Sequence, residues 1–167
     1  MPADQHKQHR VEQVTCVVLT ISDTRTVEND TSGQYIREAL KEAGHQVLAY
    51  AIIPDDPNRI GQRLMELAAD PDCRAIVLTG GTGLASRDTT FEAVTALLDK
   101  RLDGFGELFR MLSYDQIGPG AMLSRAVAGS VGNTALFSLP GSTKAVELAM
   151  EKLILPELGH IVQLLGD

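Results

Sequence analysis

A chain of 167 residues with 44% apolar content has the size and composition of one domain with a full core. Its 22 acidic against 15 basic side chains leave a net charge of −7; this disfavours a nucleic-acid backbone or an anionic membrane as partner and requires a local site for any anionic ligand. No apolar run approaches the roughly 18 residues of a membrane span and no basic leader precedes an apolar stretch, so a soluble, cytoplasmic protein is expected.

In chain order, residues 1–12 read as a disordered tail, polar through Met1–Arg10 and carrying His6 and His9, ahead of one domain over 13–167. "TCVVLTIS" (15–22) and "AIVLT" (75–79) are short, β-branched and apolar at successive positions, as strands covered on both faces are, and "HQVLAYAII" (45–53) is a weaker third. Cys16 lies inside the first run and reads as core, and its spacing from Cys73 suits neither a disulfide framework nor a zinc site. Between the first two strands, "DTSGQYIREALKEAG" predicts a helix capped by Asp30, Thr31 or Ser32, with Ile36, Ala39, Leu40 and Ala43 on one face and Gly44 as its stop. "DDPNRIGQRLMELAAD" predicts another, with Asp56 as cap, Pro57 in the first turn and Ile60, Leu64 and Leu67 as the apolar stripe. "TTFEAVTALLDK" carries a capping-box pattern, Thr89 with Glu92.

Further along, "GFGELFRMLSYDQIG" offers Phe105, Leu108, Phe109 and Leu112 as a stripe that suits either the core or a neighbouring copy. "RAVAGSVGNTALFSL" reads as two extended segments about Gly132-Asn133, a hairpin at the sheet edge. "SLPGSTKAVELAMEKLI" is a last βα junction leading into two closing helices split by Pro156. The alternation predicts a three-layer α/β/α sandwich with a mostly parallel sheet and an edge β-hairpin.

In such sheets ligands bind beyond the carboxyl ends of the strands, which is where this chain puts its unusual residues. Ser22 and Asp23 follow the first strand, Asp55 and Asp56 the second, Thr79-Gly80-Gly81-Thr82-Gly83 with Arg87 and Asp88 the third, and Pro140-Gly141-Ser142-Thr143-Lys144 the last. Three glycines within four residues exceed what one turn needs and present bare backbone to a phosphate, with a cation and a carboxylate beside them. The run is not a P-loop, for no glycine-lysine-serine/threonine ending exists, and Ser86 stands where the dinucleotide fingerprint needs its third glycine. Ala128 breaks any nucleophile elbow around Ser130. His45 and His160 have no partnered spacing and are assigned no role. Ser142 and Thr143 open a helix whose first amides and dipole favour an anion, and Lys144 in the first turn is a misplaced charge unless an anion sits nearby.

Taken together, "TGGTGLASRDTTFEA", "SRAVAGSVGNTALFSLPGSTKA" and "ISDTRTVENDTSGQYIREALKEAGH" resemble the molybdopterin-binding proteins of molybdenum cofactor biosynthesis, most closely the MoaB branch beside its relative MogA. The resemblance spans residues 13 to 165. It implies a molybdopterin adenylyltransferase that uses ATP and Mg²⁺, with release of pyrophosphate, or a non-catalytic carrier of the same pterin. It also implies Asp55 and Asp88 as metal-holding catalytic carboxylates, Ser22, Asp23, Thr79, Gly80, Gly81, Thr82, Gly83, Arg87, Pro140, Gly141, Ser142 and Lys144 as substrate and nucleotide contacts, and a homotrimer or homohexamer. One departure stands out: Phe91 occupies the place of a proline in the MogA branch. The related domain of nicotinamide-nucleotide metabolism shares the sheet and the glycine turn but fits "SRAVAG" and "LPGSTK" poorly.

Overall fold

Apolar runs of five to eight residues form the sheet of the computed structural model, which describes residues 10–166. In chain order the elements are β1 (Thr15–Ile21), α1 (Thr31–Glu42), β2 (Gln46–Ile53), α2 (Pro57–Ala69), β3 (Ala75–Thr79), α3 (Thr90–Thr95), β4 (Lys100–Arg101) and α4 (Asp103–Ile117). A 3₁₀ turn, Gly118–Leu123, leads to β5 (Val127–Val131), β6 (Thr134–Leu139), α5 (Thr143–Ala149), a π-helical turn at Met150–Ile154 and α6 (Leu155–Gly166). The sheet runs β2-β1-β3-β6-β5-β4, parallel through its first four strands and antiparallel in the last two pairings.

Side-chain alternation along each strand feeds two separate cores, which is why the central strands are apolar at every position. Cys16, Val18, Val77 and Phe137 face α1, α4, α5 and α6, while Val17, Leu19, Ile76, Leu78 and Leu136 face α2 and α3. The expected three-layer sandwich is the observed one. Burial pushes the thiol of Cys16 up to about 12, with a smaller contribution from Cys73. Both cysteines are free and buried. No described helix is long and apolar enough to cross a membrane.

Several boundaries differ from the sequence reading. Of the residues expected to form a tail, His6 and His9 lie outside the described residues, whereas Val11 packs against the core and its amide donates to the Gly159 carbonyl at 3.1 Å. The β5–β6 hairpin does not lie at the edge: β6 is interior, and the two-residue β4 pairs antiparallel with β5 and takes the edge. Helix α3 stops at Thr95, far short of Lys100. Its capping box does not form, because the Thr89 hydroxyl donates to Asp55 at 2.6 Å and Glu92 pairs with Arg125. Pro156 does not split the closing helices; the chain winds out one π turn, with the Leu155 amide reaching the Met150 carbonyl, and continues as α6. The α4 stripe divides, with Phe105 and Phe109 in the core and Leu108 at the surface.

Candidate functional site

The four parallel strands deliver their carboxyl ends to one edge. From β1 the chain passes to β2 on one side and then to β3 on the other, so the β1/β3 pair is the switch point where open α/β sheets hold ligands. There Thr79 and Gly80 lock the end of β3 to the end of β6: the Thr79 hydroxyl donates to the Pro140 carbonyl at 2.8 Å and the Gly80 amide to the Leu139 carbonyl at 2.9 Å. The Thr90 amide closes the turn onto the Gly81 carbonyl at 3.2 Å. Among the described residues, the amides of Gly81, Thr82, Gly83 and Leu84 donate to no protein acceptor. A run of unfilled amides is the raw material of an anion nest.

The two expected carboxylates bracket this turn. Asp55 Oδ1 accepts both the amide and the hydroxyl of Thr89, at 3.2 and 2.6 Å, and a methyl group added at Gly81 would lie 2.9 Å from Asp55 Oδ2. Asp88 Oδ2 accepts the Ala85 amide at 3.0 Å and would lie 2.7 Å from a methyl group at Gly83. Each carboxylate thus has one oxygen in the loop scaffold and one that, among the described residues, has no hydrogen bond. Among the described residues no three His, Cys, Asp or Glu side chains converge, so the protein offers carboxylates without a closed metal cage.

The remaining junction residues divide into braces and open groups. The Ser22 hydroxyl accepts the amides of Thr24 and Arg25 at 3.2 and 3.0 Å, and Asp23 Oδ1 accepts the Asp55 amide at 3.1 Å, which ties the end of β1 to the end of β2. Asp56 is the cap of α2, accepting the Arg59 amide, as its place before Pro57 predicts. Arg87 is exposed and, among the described residues, unpaired. At the β6 junction Ser142 occupies the N-cap of α5 but makes no capping bond, and Lys144 is exposed and, among the described residues, without an ion pair. Ser32 and Thr31 of α1 hold this junction instead, through the Gly141 carbonyl at 2.8 Å and the Thr143 hydroxyl at 3.0 and 2.9 Å. A cavity of about 330 Å³ opens between Ser22, Asp30, Thr79, Gly80 and Ser142. A second, of about 650 Å³, is lined by Phe109, Ala121, Pro140, Ser142, Lys144 and Leu148, so the two meet at Ser142. His45 and His160 stay outside: His45 Nδ1 accepts the Val14 amide, and His160 pairs with Glu157.

Two groups beside the candidate site were given no part in it by the sequence reading. The first is Asp30, which caps α1 and is also buried against the 330 Å³ cavity, accepting Thr20 Oγ1 at 2.5 Å and the Tyr50 hydroxyl. Burial, then this carboxylate, pushes the Tyr50 phenol up to about 12, so it stays protonated and donating. The second is Arg125, whose guanidinium lies over the Phe91 ring at 4.9 Å and hydrogen-bonds the carbonyls of Gly83 and Asp88. Phe91, the departure from the MogA pattern, is therefore a platform. Arg125 lies within the quoted "SRAVAG" stretch, a lone basic residue between Ser124 and the apolar β5, and that was the signal for it.

A mostly parallel α/β/α sandwich with an amide-lined turn and two carboxylates beside its switch point defines the class of the fold and its candidate site. Residues 17–160 match the family described as "Probable molybdopterin binding domain", and the chain belongs to that family. It is 54% identical over 162 residues to molybdenum cofactor biosynthesis protein B of Bacillus cereus, covering 96% of each chain. A crystal structure of a molybdenum cofactor biosynthesis protein B superposes with a TM-score of 0.90 at 55% identity, over 92% of this chain and 96% of that one. The tungsten cofactor synthesizing protein MoaB from Pyrococcus furiosus does so with 0.84 at 36% identity, over 94% and 99%.

Proposed function

We propose that this protein is a cytoplasmic molybdopterin adenylyltransferase of molybdenum cofactor biosynthesis. An oxygen of the terminal molybdopterin phosphate attacks the α-phosphorus of ATP; the new P–O bond forms as the bond to the α–β bridging oxygen breaks, and pyrophosphate leaves with that electron pair. No enzyme nucleophile is required, so the protein's task is to position groups and offset charge. The observation that carries this reading is the pair Asp55 and Asp88 beside free amides in an acidic chain. Two carboxylates facing phosphates repel them unless a cation intervenes, and a donor set of one or two carboxylates completed by phosphate oxygens suits Mg²⁺. When bound there, Mg²⁺ supplies charge neutralisation at the phosphates. Gly81 to Leu84 hold phosphate oxygens through their amides, Arg87 adds an exposed cation, and Ser142 with Lys144 receives the pterin phosphate.

Incubation of the purified protein with molybdopterin, ATP and Mg²⁺, followed by mass analysis, is expected to show the adenylated pterin. One observation favours a second reading, a non-catalytic molybdopterin carrier: Asp55 Oδ1 and Asp88 Oδ2 already brace the loop, a task that needs no metal. Retained pterin binding without the adenylated product would decide for the carrier.

Two further results are expected. Lys144→Ala weakens molybdopterin binding by about 1–3 kcal/mol, the range of a charged hydrogen bond, while the melting temperature is unchanged or slightly higher because a cation leaves the first turn of a helix. Titration beside a thermal melt checks both; unaltered affinity would leave the phosphate to the glycine turn alone. The second result is a homotrimer or homohexamer in light scattering at micromolar concentration. Met111, Ile117 and Met122 are 59, 64 and 76% exposed along α4 and the 3₁₀ turn, an apolar face that suits a neighbouring copy. A monomer mass would refute it.

A further inference from the structure

The glycine turn has no regular secondary structure to hold it, yet its unfilled amides point to a common task. A trans peptide directs its C=O and N–H to opposite sides, so whatever fixes the carbonyls of this loop also aims its amides. One side chain does so. Arg125 Nε donates to the Gly83 carbonyl at 3.1 Å and the Thr82 carbonyl at 3.4 Å, and its Nη2 donates to the carbonyls of Gly83 at 2.7 Å and Asp88 at 3.1 Å. The Arg125 amide adds a bond to the Thr82 carbonyl at 3.1 Å. The peptides beginning at Thr82 and Gly83 consequently turn the amides of Gly83 and Leu84 away from Arg125. The peptide beginning at Asp88 does the same with the Thr89 amide, and that amide donates to Asp55 Oδ1 at 3.2 Å. A single peptide unit therefore links the guanidinium to the Asp55 carboxylate.

Arg125 is itself fixed from two sides. Glu92 takes Nη1 and Nη2 as an ion pair, and the face of Phe91 lies 4.9 Å from the guanidinium carbon. The hydrogen bond from Arg125 is the largest of the influences that lower the Glu92 carboxyl from its ordinary range. Neither Glu92 nor Phe91 faces the cavity that Gly80 lines.

We propose that Arg125 is the positioning residue of the site: its fork, seated on Glu92 and Phe91, holds the Thr82, Gly83 and Asp88 carbonyls so that the loop amides and Asp55 are set for the phosphates. Only a planar fork reaches three carbonyls and a carboxylate at once; a lysine ammonium in the same place keeps the charge and loses most of the contacts. The catalytic consequence rests on the adenylyl-transfer reading, whereas the structural consequence does not.

The test compares the wild-type protein with Arg125→Lys and, as a milder variant, Glu92→Gln. Amide hydrogen exchange reads the loop at Ala85 and Asp88, whose amides are bonded within it, and at Thr89, whose amide is bonded to Asp55. Arg125→Lys is expected to speed exchange at these three amides about tenfold and to leave β1 and β3 unchanged; Glu92→Gln does the same about threefold. In the same protein kcat for the adenylated pterin falls about 30-fold and KM for molybdopterin rises less than about threefold, the split expected when reacting groups are misplaced and uniform binding is kept. Unchanged exchange at the three amides overturns the proposal, and so does faster exchange throughout the sheet, which would make Arg125 a general stabiliser. A wild-type protein that forms no adenylated pterin overturns the catalytic reading of the site instead, and the exchange comparison then decides the role of Arg125 alone.

Discussion

Asp88→Asn is expected to reduce adenylyl transfer about 10³-fold or more while molybdopterin still binds. The substitution keeps the shape of the side chain, and the asparagine carbonyl can still accept the Ala85 amide that Asp88 Oδ2 accepts at 3.0 Å. The loop therefore keeps its brace, and the melting temperature should move by no more than the effect of about 1 kcal/mol. What is lost is the negative charge beside Gly83, and with it half of the carboxylate pair proposed to hold Mg²⁺. Removing one preorganised charge-stabilising group costs about 10²–10³ in turnover, and losing a metal ligand compounds that loss. Asp88→Ala makes the control, because it removes the brace as well and should weaken pterin binding together with turnover. The measurement is product mass analysis for each variant beside a direct pterin titration. An Asp88→Asn protein with wild-type turnover would end the metal role and move the site towards the carrier reading.

Much of this scaffold is local and was legible for that reason. Asp56 before Pro57 caps α2, Asp30 caps α1, and the apolar runs of β1 and β3 lie buried on both faces. Each of those features is decided by residues within a few positions of one another, and short-range chemistry is what a sequence displays. The misreadings were decided at long range. Thr89 and Glu92 have the spacing of a capping box, yet Asp55, 34 positions away, takes the threonine and Arg125, 33 positions away, takes the glutamate. A capping box is worth about 1 kcal/mol, which two charge-assisted bonds exceed. Strand β4 is two exposed basic residues with no β pattern of their own, placed by pairing with β5. The four junctions of the candidate site could be picked out because they follow strands; Arg125 could not, since its value lies in carbonyls 37 to 43 residues earlier.

The second large effect is expected at the glycines themselves, and it separates scaffold from site. Gly80 has φ +105, and a methyl group there would lie 2.3 Å from the Ile21 carbonyl oxygen, a backbone atom at the end of β1 that cannot swing aside. Gly80→Ala combines a left-handed backbone, which costs about 1–2 kcal/mol with a side chain, with overpacking against fixed backbone, about 1–3 kcal/mol. A stability loss of about 2–5 kcal/mol follows, seen as an early denaturant midpoint with an unchanged slope. Gly81 has φ +70, but its added methyl would meet side chains, Thr90 Oγ1 at 2.0 Å and Asp55 Oδ2 at 2.9 Å. Side chains can turn away where backbone cannot, so Gly81→Ala should cost less stability than Gly80→Ala. The displaced groups are the Thr90 hydroxyl, which is buried and without a partner among the described residues, and the free oxygen of Asp55. Activity is therefore expected to fall further in Gly81→Ala than its stability loss accounts for. Denaturant unfolding and product formation, measured on both variants below their unfolding transitions, test the contrast. Equal stability losses, or a Gly81→Ala protein with full turnover, would show that the turn beside Asp55 is built for the fold and not for a ligand.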